Sequence, residues 1–406
     1  MNVFTLTDAA IERALTPGHD VAAPADFMAG FAQAIAEKPG QSRISFLDAA
    51  AWQRQVPMAT RMLLLLALLG ILLVSAIAFA SLQHRAVNGH LIVGNGHELL
   101  DVDPETGVTS TLVANLGYLS GVTRSVDGNL ISFWASTVDG LALEIVDKNG
   151  ADVRQVATNV TPKPVGQGQI DVWSPDGSSL ASGVMVGREQ RILVVDIASG
   201  EGRLIGPIGA ANPLWSPDGQ LLAFSYVLEG RSVLAVMRAD GTGDPRVISG
   251  DLGDLEDSGT NNFSPDGAWV YFGAERNGFA ESHIFRANVD TGESEQLTFD
   301  ATAAAPALSP DGKWVAYADW SGPVGTRGIW IMDADGSNQH LLIADATNDG
   351  WSNDGQFVLV EWRPLHANHE LVILRPDGSD RKTVLSFERN CADLCATDLG
   401  WGQPRP

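Results

Sequence analysis

The residues whose types could support metal chemistry are few in this 406-residue chain. The best group is His366, His369 and Glu370, because imidazole and carboxylate groups are common zinc ligands. No third ligand region accompanies this group, and the tight spacings of structural and catalytic zinc sites are absent from the sequence. We therefore expect no metal site and no cofactor.

A serine nucleophile is not expected either. The hydrolases of the α/β class carry theirs in the motif Gly-x-Ser-x-Gly, which presents the hydroxyl on a sharp turn. Every Gly-x-Ser in this chain, such as Gly177-Ser-Ser179 or Gly350-Trp-Ser352, lacks the second glycine. The sequence therefore predicts no catalytic residue and a protein that is not an enzyme.

A repeated tetrapeptide, Ser-Pro-Asp-Gly, predicts the strands and turns that would position any functional site. Its six copies begin at Ser125, Ser174, Ser216, Ser264, Ser309 and Ser352. Proline presets the first corner of a turn, aspartate bonds its own backbone, and glycine accepts a positive φ. An alternating apolar strand follows each copy, and the copies are spaced by 49, 42, 48, 45 and 43 residues. A period of about 40–50 residues with four strands each predicts a β-propeller.

Two fragments remain at the ends of the repeat region. Residues 90–113 predict three strands without an inner strand, and Leu399-Gly-Trp401-Gly402 matches the inner-strand pattern. Joining the fragments makes one more blade and leaves no open inner edge. We predict an all-β, seven-bladed β-propeller over residues 88–402, with six and eight blades as the alternatives.

The recurring Trp/Phe-Ser-Pro-Asp-Gly motif resembles the TolB-like, or WD40-like, β-propeller repeat family. The resemblance covers about residues 88–402, and four of the six tetrapeptides are intact, with Val126 and Asn353 in place of proline in the others. It implies a propeller fold, which is shared by TolB and by the propeller portions of prolyl-oligopeptidase-type peptidases. An aromatic residue precedes four of the copies at one repeat position, which indicates packing between blades: Trp173, Trp215, Phe263 and Trp351.

Irregular loops carry the function of a propeller, because the blades mainly provide a frame. The loops between second and third strands share one face with the connections between blades. On that face we predict a ligand- or partner-binding rim: Glu275, Arg276, Asn277, Asp319, Trp320, Trp362, Arg363, Asp254, Glu256 and Asp257. Aromatic side chains beside charges are typical of recognition surfaces. The alternative is a rim that contacts only solvent.

An uncharged apolar run, residues 62–82, precedes the repeats. As a helix it would be about 31 Å long at 1.5 Å per residue, enough to cross a hydrocarbon core of about 30 Å. Four basic residues between 38 and 61 flank it on the N-terminal side. The positive-inside rule therefore predicts a single-pass membrane protein with residues 1–61 in the cytoplasm and the propeller outside.

The net charge of −23 lies entirely beyond residue 85. Binding of nucleic acid requires clustered lysine and arginine, so a partner of that kind is excluded. The two cysteines, Cys391 and Cys395, fall in the exported region, where oxidation is allowed. We predict that they form a local disulfide before the closing strand, in preference to a redox or metal site.

Residues 1–61 predict three short helices with too few large apolar side chains for a stable core of their own. A short cytoplasmic helical segment, one membrane helix and an outer domain together resemble membrane-anchored regulators associated with sigma factors. That layout implies that residues 1–55 bind a sigma-factor-like partner. The alternative is a helical or disordered stub, and the zinc motif of many such regulators is absent because no cysteine precedes Cys391.

Together these features predict a membrane-tethered, extracytoplasmic propeller that binds a protein or small ligand without catalysis and signals through residues 1–55. One alternative is a TolB-like envelope scaffold that binds a periplasmic lipoprotein. The other is a propeller-based hydrolase or lyase. Such an enzyme needs titratable groups at the central channel, and Asp171 with the regions of Asn212 and Asn262 are the best available there.

Overall fold

The structure is a computed structural model that describes residues 90–94, 97–137, 140–157, 161–162, 172–250, 254–255, 262–275, 282–299, 302–323, 325–364, 368–387 and 399–400. The chain divides into two compact units, Met1–Ala78 and Phe79–Pro406, and every described residue belongs to the second. The predicted cytoplasmic segment 1–61, the apolar run 62–82 and both cysteines lie outside the described residues. Within the described ranges no helix is long and apolar enough to cross a membrane.

In this part of the chain, antiparallel strands form seven sheets, which are the blades of a β-propeller. Blade 1 contains β1 (Leu91–Gly94), β2 (Leu99–Val102), β3 (Thr109–Val113) and the last strand, β30 (Leu399–Gly400). Blade 2 contains β4 (Leu119–Arg124), β5 (Leu130–Thr137), β6 (Gly140–Asp147) and β7 (Arg154–Ala157). Blade 3 contains β8 (Thr161–Pro162), β9 (Val172–Trp173), β10 (Ser179–Val186), β11 (Glu189–Asp196) and β12 (Gly202–Ile205).

The other four blades follow in chain order. Blade 4 contains β13 (Ala211–Trp215), β14 (Leu221–Leu228), β15 (Arg231–Arg238) and β16 (Arg246–Val247). Blade 5 contains β17 (Asp254–Leu255), β18 (Asn262–Phe263), β19 (Trp269–Glu275), β20 (Ser282–Asn288) and β21 (Ser294–Gln296). Blade 6 contains β22 (Ala303–Leu308), β23 (Trp314–Asp319), β24 (Gly328–Asp333) and β25 (His340–Ala344). Blade 7 contains β26 (Ala346–Trp351), β27 (Val358–Trp362), β28 (His369–Leu374) and β29 (Lys382–Phe387).

The ring closes in blade 1, where the last strand supplies the inner position. Strand β30 pairs with β1 in the register Ile92↔Gly400 and Val93↔Leu399. This confirms both the seven-bladed prediction and the closing strand read from the C-terminal fragment. Trp401, which the same prediction places in that strand, lies outside the described residues.

Two blades differ from the others in their inner strand. In blade 3, β8 and β9 pair with different ends of β10, and in blade 5, β17 and β18 pair with different parts of β19. The second strand of each of these blades therefore faces an inner strand made of two separate pieces.

Each Ser-Pro-Asp-Gly turn joins an inner strand to the second strand through the same hydrogen bonds. In blade 4 the Ser216 hydroxyl donates to Asp218 Oδ1 at 2.6 Å and accepts the amide of Leu221 at 2.9 Å. Gly219 donates its amide to the Ser216 carbonyl at 2.9 Å and has a φ of 69°. The serine-to-aspartate bond is present in the other five copies as well.

The turns define two faces of the ring. We call the end that carries the Ser-Pro-Asp-Gly turns the turn face, and the opposite end, with the loops between second and third strands, the rim face. The first described residue, His90, lies at the turn face, where its carbonyl accepts a hydrogen bond from Arg124 beside the Ser125 turn. The chain therefore enters the propeller at the face opposite the rim.

The core lies between neighbouring blades, because alternate residues of each second strand face the preceding and the following blade. Large aromatic side chains point towards the preceding blade in four cases. They are Phe133, Phe224, Phe272 and Tyr317, each at most 1% exposed. Outside this core, a side chain of one blade often donates to a carbonyl in the turn between third and outer strands of the next. These hydrogen bonds between blades form a belt around the ring. Its donor and acceptor pairs include Arg154 with Ile197, Arg203 with Ala239, Arg246 with Val289, His340 with Pro376 and Lys382 with Glu105.

Candidate functional site

The rim face is regular in blades 3 and 4 and irregular in blades 6 and 7. In blade 4 the second and third strands are joined by Glu229 and Gly230 alone, whose φ values of 51° and 83° suit a type I′ hairpin. In blade 6 residues 320–327 join β23 to β24, and in blade 7 residues 363–368 join β27 to β28. The predicted rim residues of blades 6 and 7 therefore lie in or beside the longer loops.

The blade 6 loop presents an exposed indole on a fixed turn. Asp319 is only 7% exposed, and its Oδ1 accepts the Ser321 amide at 2.8 Å and the Ser321 hydroxyl at 2.7 Å. Trp320, between these two residues, is 37% exposed. The carboxylate of Asp319 thus holds the loop, while Trp320 is the side chain that faces solvent.

Backbone hydrogen bonds join the loops of blades 6 and 7. The amide of Asp345 donates to the Arg327 carbonyl at 2.8 Å, and the Asp345 carbonyl accepts the amide of Arg363 at 2.7 Å. Asp345 has a φ of 55°, a left-handed conformation that aspartate adopts more readily than most residues. Backbone hydrogen bonds through Asp345 therefore join the loops of blades 6 and 7 that carry the predicted rim residues.

A buried carboxylate lies near the end of β27, beside Arg363. The Glu361 side chain is 5% exposed, and its Oε2 accepts from Arg363 Nη2 at 2.5 Å. On its other side, His369 Nδ1 lies 3.6 Å from Oε1. Because a buried carboxylate needs a hydrogen-bonded cation, Arg363 balances the charge of Glu361 while 43% of the arginine side chain stays exposed.

Sequence reasoning missed Glu361, although its repeat position is a signal. Counting nine residues from the turn serine gives small side chains in four other blades: Gly183, Ser225, Gly273 and Ala318. A glutamate at that position in blade 7 departs from the pattern. A carboxylate where packing calls for a small residue needs a partner, and Arg363 supplies it.

The second aromatic residue of the rim, Trp362, is half-buried at the end of β27. The guanidinium carbon of Arg381 lies 4.3 Å from the centroid of its ring, within the range of a cation–π interaction. This contact restricts the Trp362 side chain. Blade 7 thus contributes the half-buried Trp362 indole and the exposed Arg363 guanidinium to the predicted rim.

The predicted rim residues of blade 5 are placed only in part. Glu275 is half-buried at the end of β19 and lies opposite Asp254 and Ser282 in the ladder. The side chain of Asp254 is not described, and Arg276, Asn277, Glu256 and Asp257 lie outside the described residues. Their role at the rim stays a prediction.

The residues considered for catalysis at the channel make structural hydrogen bonds. Asn212 is 9% exposed and donates to the Ser225 hydroxyl at 3.2 Å. Asn262 donates to the Pro306 carbonyl at 2.9 Å and so links blades 5 and 6. Asp171 and His366 lie outside the described residues, and among the residues that are described no three metal-ligating side chains gather.

The fold and the repeat define the class of protein. Residues 129–393 match the sequence model of the family described as the TolB beta propeller domain. Because this match covers more than half of the chain, the chain belongs to that family. The resemblance seen in the Ser-Pro-Asp-Gly repeats is thereby confirmed.

Individual relatives cover only part of the chain. A protein of Agrobacterium fabrum described as uncharacterized is 27% identical over 168 residues, which are 37% of this chain and 54% of that protein. An uncharacterized peptidase of Bacillus subtilis, YuxL, is 30% identical over 152 residues, 36% of this chain and 21% of the peptidase. The chain thus spans about half or less of these curated relatives.

A solved structure with the same fold is the oligogalacturonate lyase from Vibrio parahaemolyticus. It superposes with a TM-score of 0.53 at 16% identity, over 65% of this chain and 80% of the lyase. Identity this low shows the fold alone. Since one relative is named a peptidase and this neighbour a lyase, the expectation that the chain is not an enzyme is not confirmed.

Proposed function

We propose that this propeller is a binding module that captures a partner protein or small ligand at the rim of blades 6 and 7. The observation that carries the proposal is the exposed indole of Trp320, on a loop that backbone hydrogen bonds join through Asp345 to Arg363 of blade 7. Indole and guanidinium groups are enriched where binding energy is concentrated. Such a surface suits a ligand that offers apolar area beside hydrogen-bond acceptors.

Three features of the site support a binding role. Asp319 fixes the loop that carries Trp320, Glu361 holds the Arg363 guanidinium, and Arg381 stacks on Trp362, so less conformational freedom is lost on binding. The irregular loops occur at the rim face, and loops positioned by a rigid scaffold often carry binding residues. The first described residue, His90, lies at the turn face, opposite the rim.

The proposal includes an extracytoplasmic location and a tether. Residues 62–82 would anchor the chain in the membrane, and binding at the rim would act on a sigma-factor-like partner of residues 1–55. A TolB-like scaffold that binds a periplasmic lipoprotein would not need those residues. Deleting residues 1–55 separates the two, since signalling would be lost and scaffolding retained.

Photocrosslinking tests the binding surface in the full chain. Benzoylphenylalanine is placed at position 320 or, as control, at Arg188, an exposed residue of the short blade 3 hairpin on the same face. We expect a discrete crosslinked species from position 320 and none from position 188. Equal crosslinking at both positions would contradict the proposal.

Affinity measurements then identify the contacts. With the crosslinked partner purified, Trp320→Ala and Arg363→Ala should each weaken binding at least about tenfold, equivalent to about 1.4 kcal/mol. Arg188→Ala should leave the affinity unchanged. Unchanged binding by both rim variants would place the interface elsewhere.

A lyase or hydrolase is the second candidate, because Glu361 is a buried carboxylate with His369 within 3.6 Å. Positioned carboxylate and imidazole groups act as general acids and bases. Incubation with oligogalacturonate, followed by ultraviolet absorbance of unsaturated products, tests the lyase. Turnover that is lost in Glu361→Gln would support this candidate, and the absence of turnover would reject it for this substrate.

A further inference from the structure

The interface between blades 2 and 3 contains buried polar groups that its apolar surroundings do not satisfy. They are the Ser132 and Ser182 hydroxyls and the indole nitrogens of Trp134 and Trp173, on residues at most 1% exposed. None of the four has a hydrogen-bond partner in the part of the chain that the structure describes. A buried polar group without a partner costs free energy, so each of these groups calls for an explanation.

All four groups face the same interface. Trp134 of blade 2 and Trp173 of blade 3 belong to one buried cluster with Leu180 and Val184. Alternation along a strand places Ser132 on the side of Trp134, and Ser182 on the side of Leu180 and Val184. Trp173 is paired with Leu180, which lies two residues from Ser182. The polar groups of each blade are thus neighbours on the surface that meets the other blade.

Other interfaces satisfy the equivalent indole directly. Trp215 donates to the Val172 carbonyl of the preceding blade at 3.1 Å, and Trp351 donates to the Ala307 carbonyl at 2.8 Å. Trp173 occupies the same repeat position, immediately before the turn serine. Its N–H makes no such bond to the described residues of blade 2.

This interface also differs from the others in the blade that supplies its large aromatic side chain. Eight residues after the turn serine, blades 2, 4, 5 and 6 carry a buried aromatic side chain, whereas blade 3 carries Ser182. One residue further along, several blades carry a small side chain, whereas blade 2 carries Trp134. The indole of Trp134 in blade 2 therefore takes the place of the aromatic ring that blade 3 lacks. As a result, an indole N–H and the Ser182 hydroxyl lie in the core.

We propose that the interface between blades 2 and 3 binds ordered water through Ser132, Ser182, Trp134 and Trp173. An indole N–H only donates, whereas a hydroxyl both donates and accepts. A water molecule accepts two hydrogen bonds and donates two, so this set of groups matches its capacity.

An ion fits less well than water. The four groups are uncharged, and burial of an unpaired ion is costly. Arg191 lies on the same side of blade 3 as Leu193, near the rim end of the third strand. Its Nε is a further buried donor without a partner in the described ranges. Its Nη2 bonds the Gly206 carbonyl at 3.4 Å. A water molecule at this end would give the buried sites a polar path to the rim face.

A crystal structure of the full chain, grown with bromide and measured at the bromine edge, tests the proposal directly. We expect non-halide density within about 2.7–3.2 Å of at least two of the four groups. A dry interface would overturn the proposal, and so would an anomalous bromide peak at these groups.

Substitution provides an independent readout. Ser182→Ala should lower the melting temperature and remove density next to that position, because the water loses a partner. The matched control is Ser110→Ala, at an exposed serine on the outer strand of blade 1, which should change neither. If Ser182→Ala raises the melting temperature, the hydroxyl is an unsatisfied group in a dry core and the proposal fails.

Discussion

Side-chain oxygen atoms fix the Ser-Pro-Asp-Gly turns in a way that the sequence motif alone only suggests. In blade 4 one hydroxyl bridges the Asp218 carboxylate and the first amide of the second strand. The serine lies at 3% exposure, so its two bonds are sheltered from water. The aspartate itself is more exposed, yet its function in the turn depends on staying ionised.

Acid should weaken these turns. The Ser216 hydroxyl, as the largest cause, holds the pKa of Asp218 below its usual value of 3.8. A carboxyl whose pKa is lower in the folded state stabilises the fold above the unfolded pKa, and this stabilisation is lost as pH falls through the folded pKa. Urea denaturation between pH 7 and pH 2.5 should therefore show a steeper loss below about pH 4 for the natural chain than for Asp218→Asn. Equal slopes for both proteins would contradict this origin of acid sensitivity.

The rim shows what sequence reasoning achieves at single residues. The sequence predicts Trp320 as a contact residue, and it is exposed, whereas Asp319, which the same prediction includes, is buried and bonded to Ser321. Glu361 is absent from the prediction. Its repeat position marks Glu361 as unusual, but its burial and its pairing with Arg363 depend on tertiary packing, which a single sequence does not display.

At the scale of elements, neighbouring turns pack on one another around the turn face. A Cβ atom added to Gly312 would lie 2.9 Å from Cδ of Pro265 in the neighbouring turn. Gly177 has the same φ of 70°, but nothing lies within 4 Å of the place that a Cβ would take there, because the preceding turn carries Val126 in place of proline. Substitution of these two glycines therefore distinguishes the cost of backbone strain from the cost of a packing clash.

Alanine at the two positions should therefore have different costs. Gly177→Ala introduces only the strain of a left-handed alanine, about 1–2 kcal/mol of unfolding free energy. Gly312→Ala adds the clash with Pro265 and should cost at least about 1 kcal/mol more, since overpacking typically costs about 1–3 kcal/mol. Equilibrium urea denaturation measures the free energy of unfolding of both variants. Equal losses would show that the turn of blade 5, which contains Pro265, moves to accommodate the new Cβ at no cost in stability.

Ring closure is the second element-scale test. Deleting residues 396–406 removes β30 and its pairing with Ile92 and Val93. Each lost ladder hydrogen bond is worth about 1 kcal/mol, and total stability is about 5–15 kcal/mol. The melting temperature should fall clearly, whereas deleting residues 2–12 should leave the transition of the propeller unchanged. A C-terminal deletion that melts like the intact chain would show that closure contributes little.

The repeat predicts the blades, their turns and the closing strand, because each depends on local patterns that recur. It does not predict the two-piece inner strands of blades 3 and 5. A signal exists, since the spacings that contain them, 49 and 48 residues, are the longest of the five. Spacing shows that residues have been added but not which strand they divide.

For the whole molecule, the first question is which side of a membrane the propeller occupies. The run 62–82 with basic residues before it predicts an exported propeller. Alkaline phosphatase fused after Pro406 should be active in cells, and a fusion that ends at Ala59 should be inactive. The reverse pattern would reject the proposed location together with an external ligand.

The belt of hydrogen bonds between blades has an evolutionary consequence. Its acceptors are main-chain carbonyls, on residues as different as Ile197, Ala239 and Pro376. Substituting the acceptor residue leaves the carbonyl in place, so no compensating change is required in the donor blade. Pairs of positions across these contacts should therefore show little co-variation among relatives, and individual blades are free to diverge while the ring remains joined.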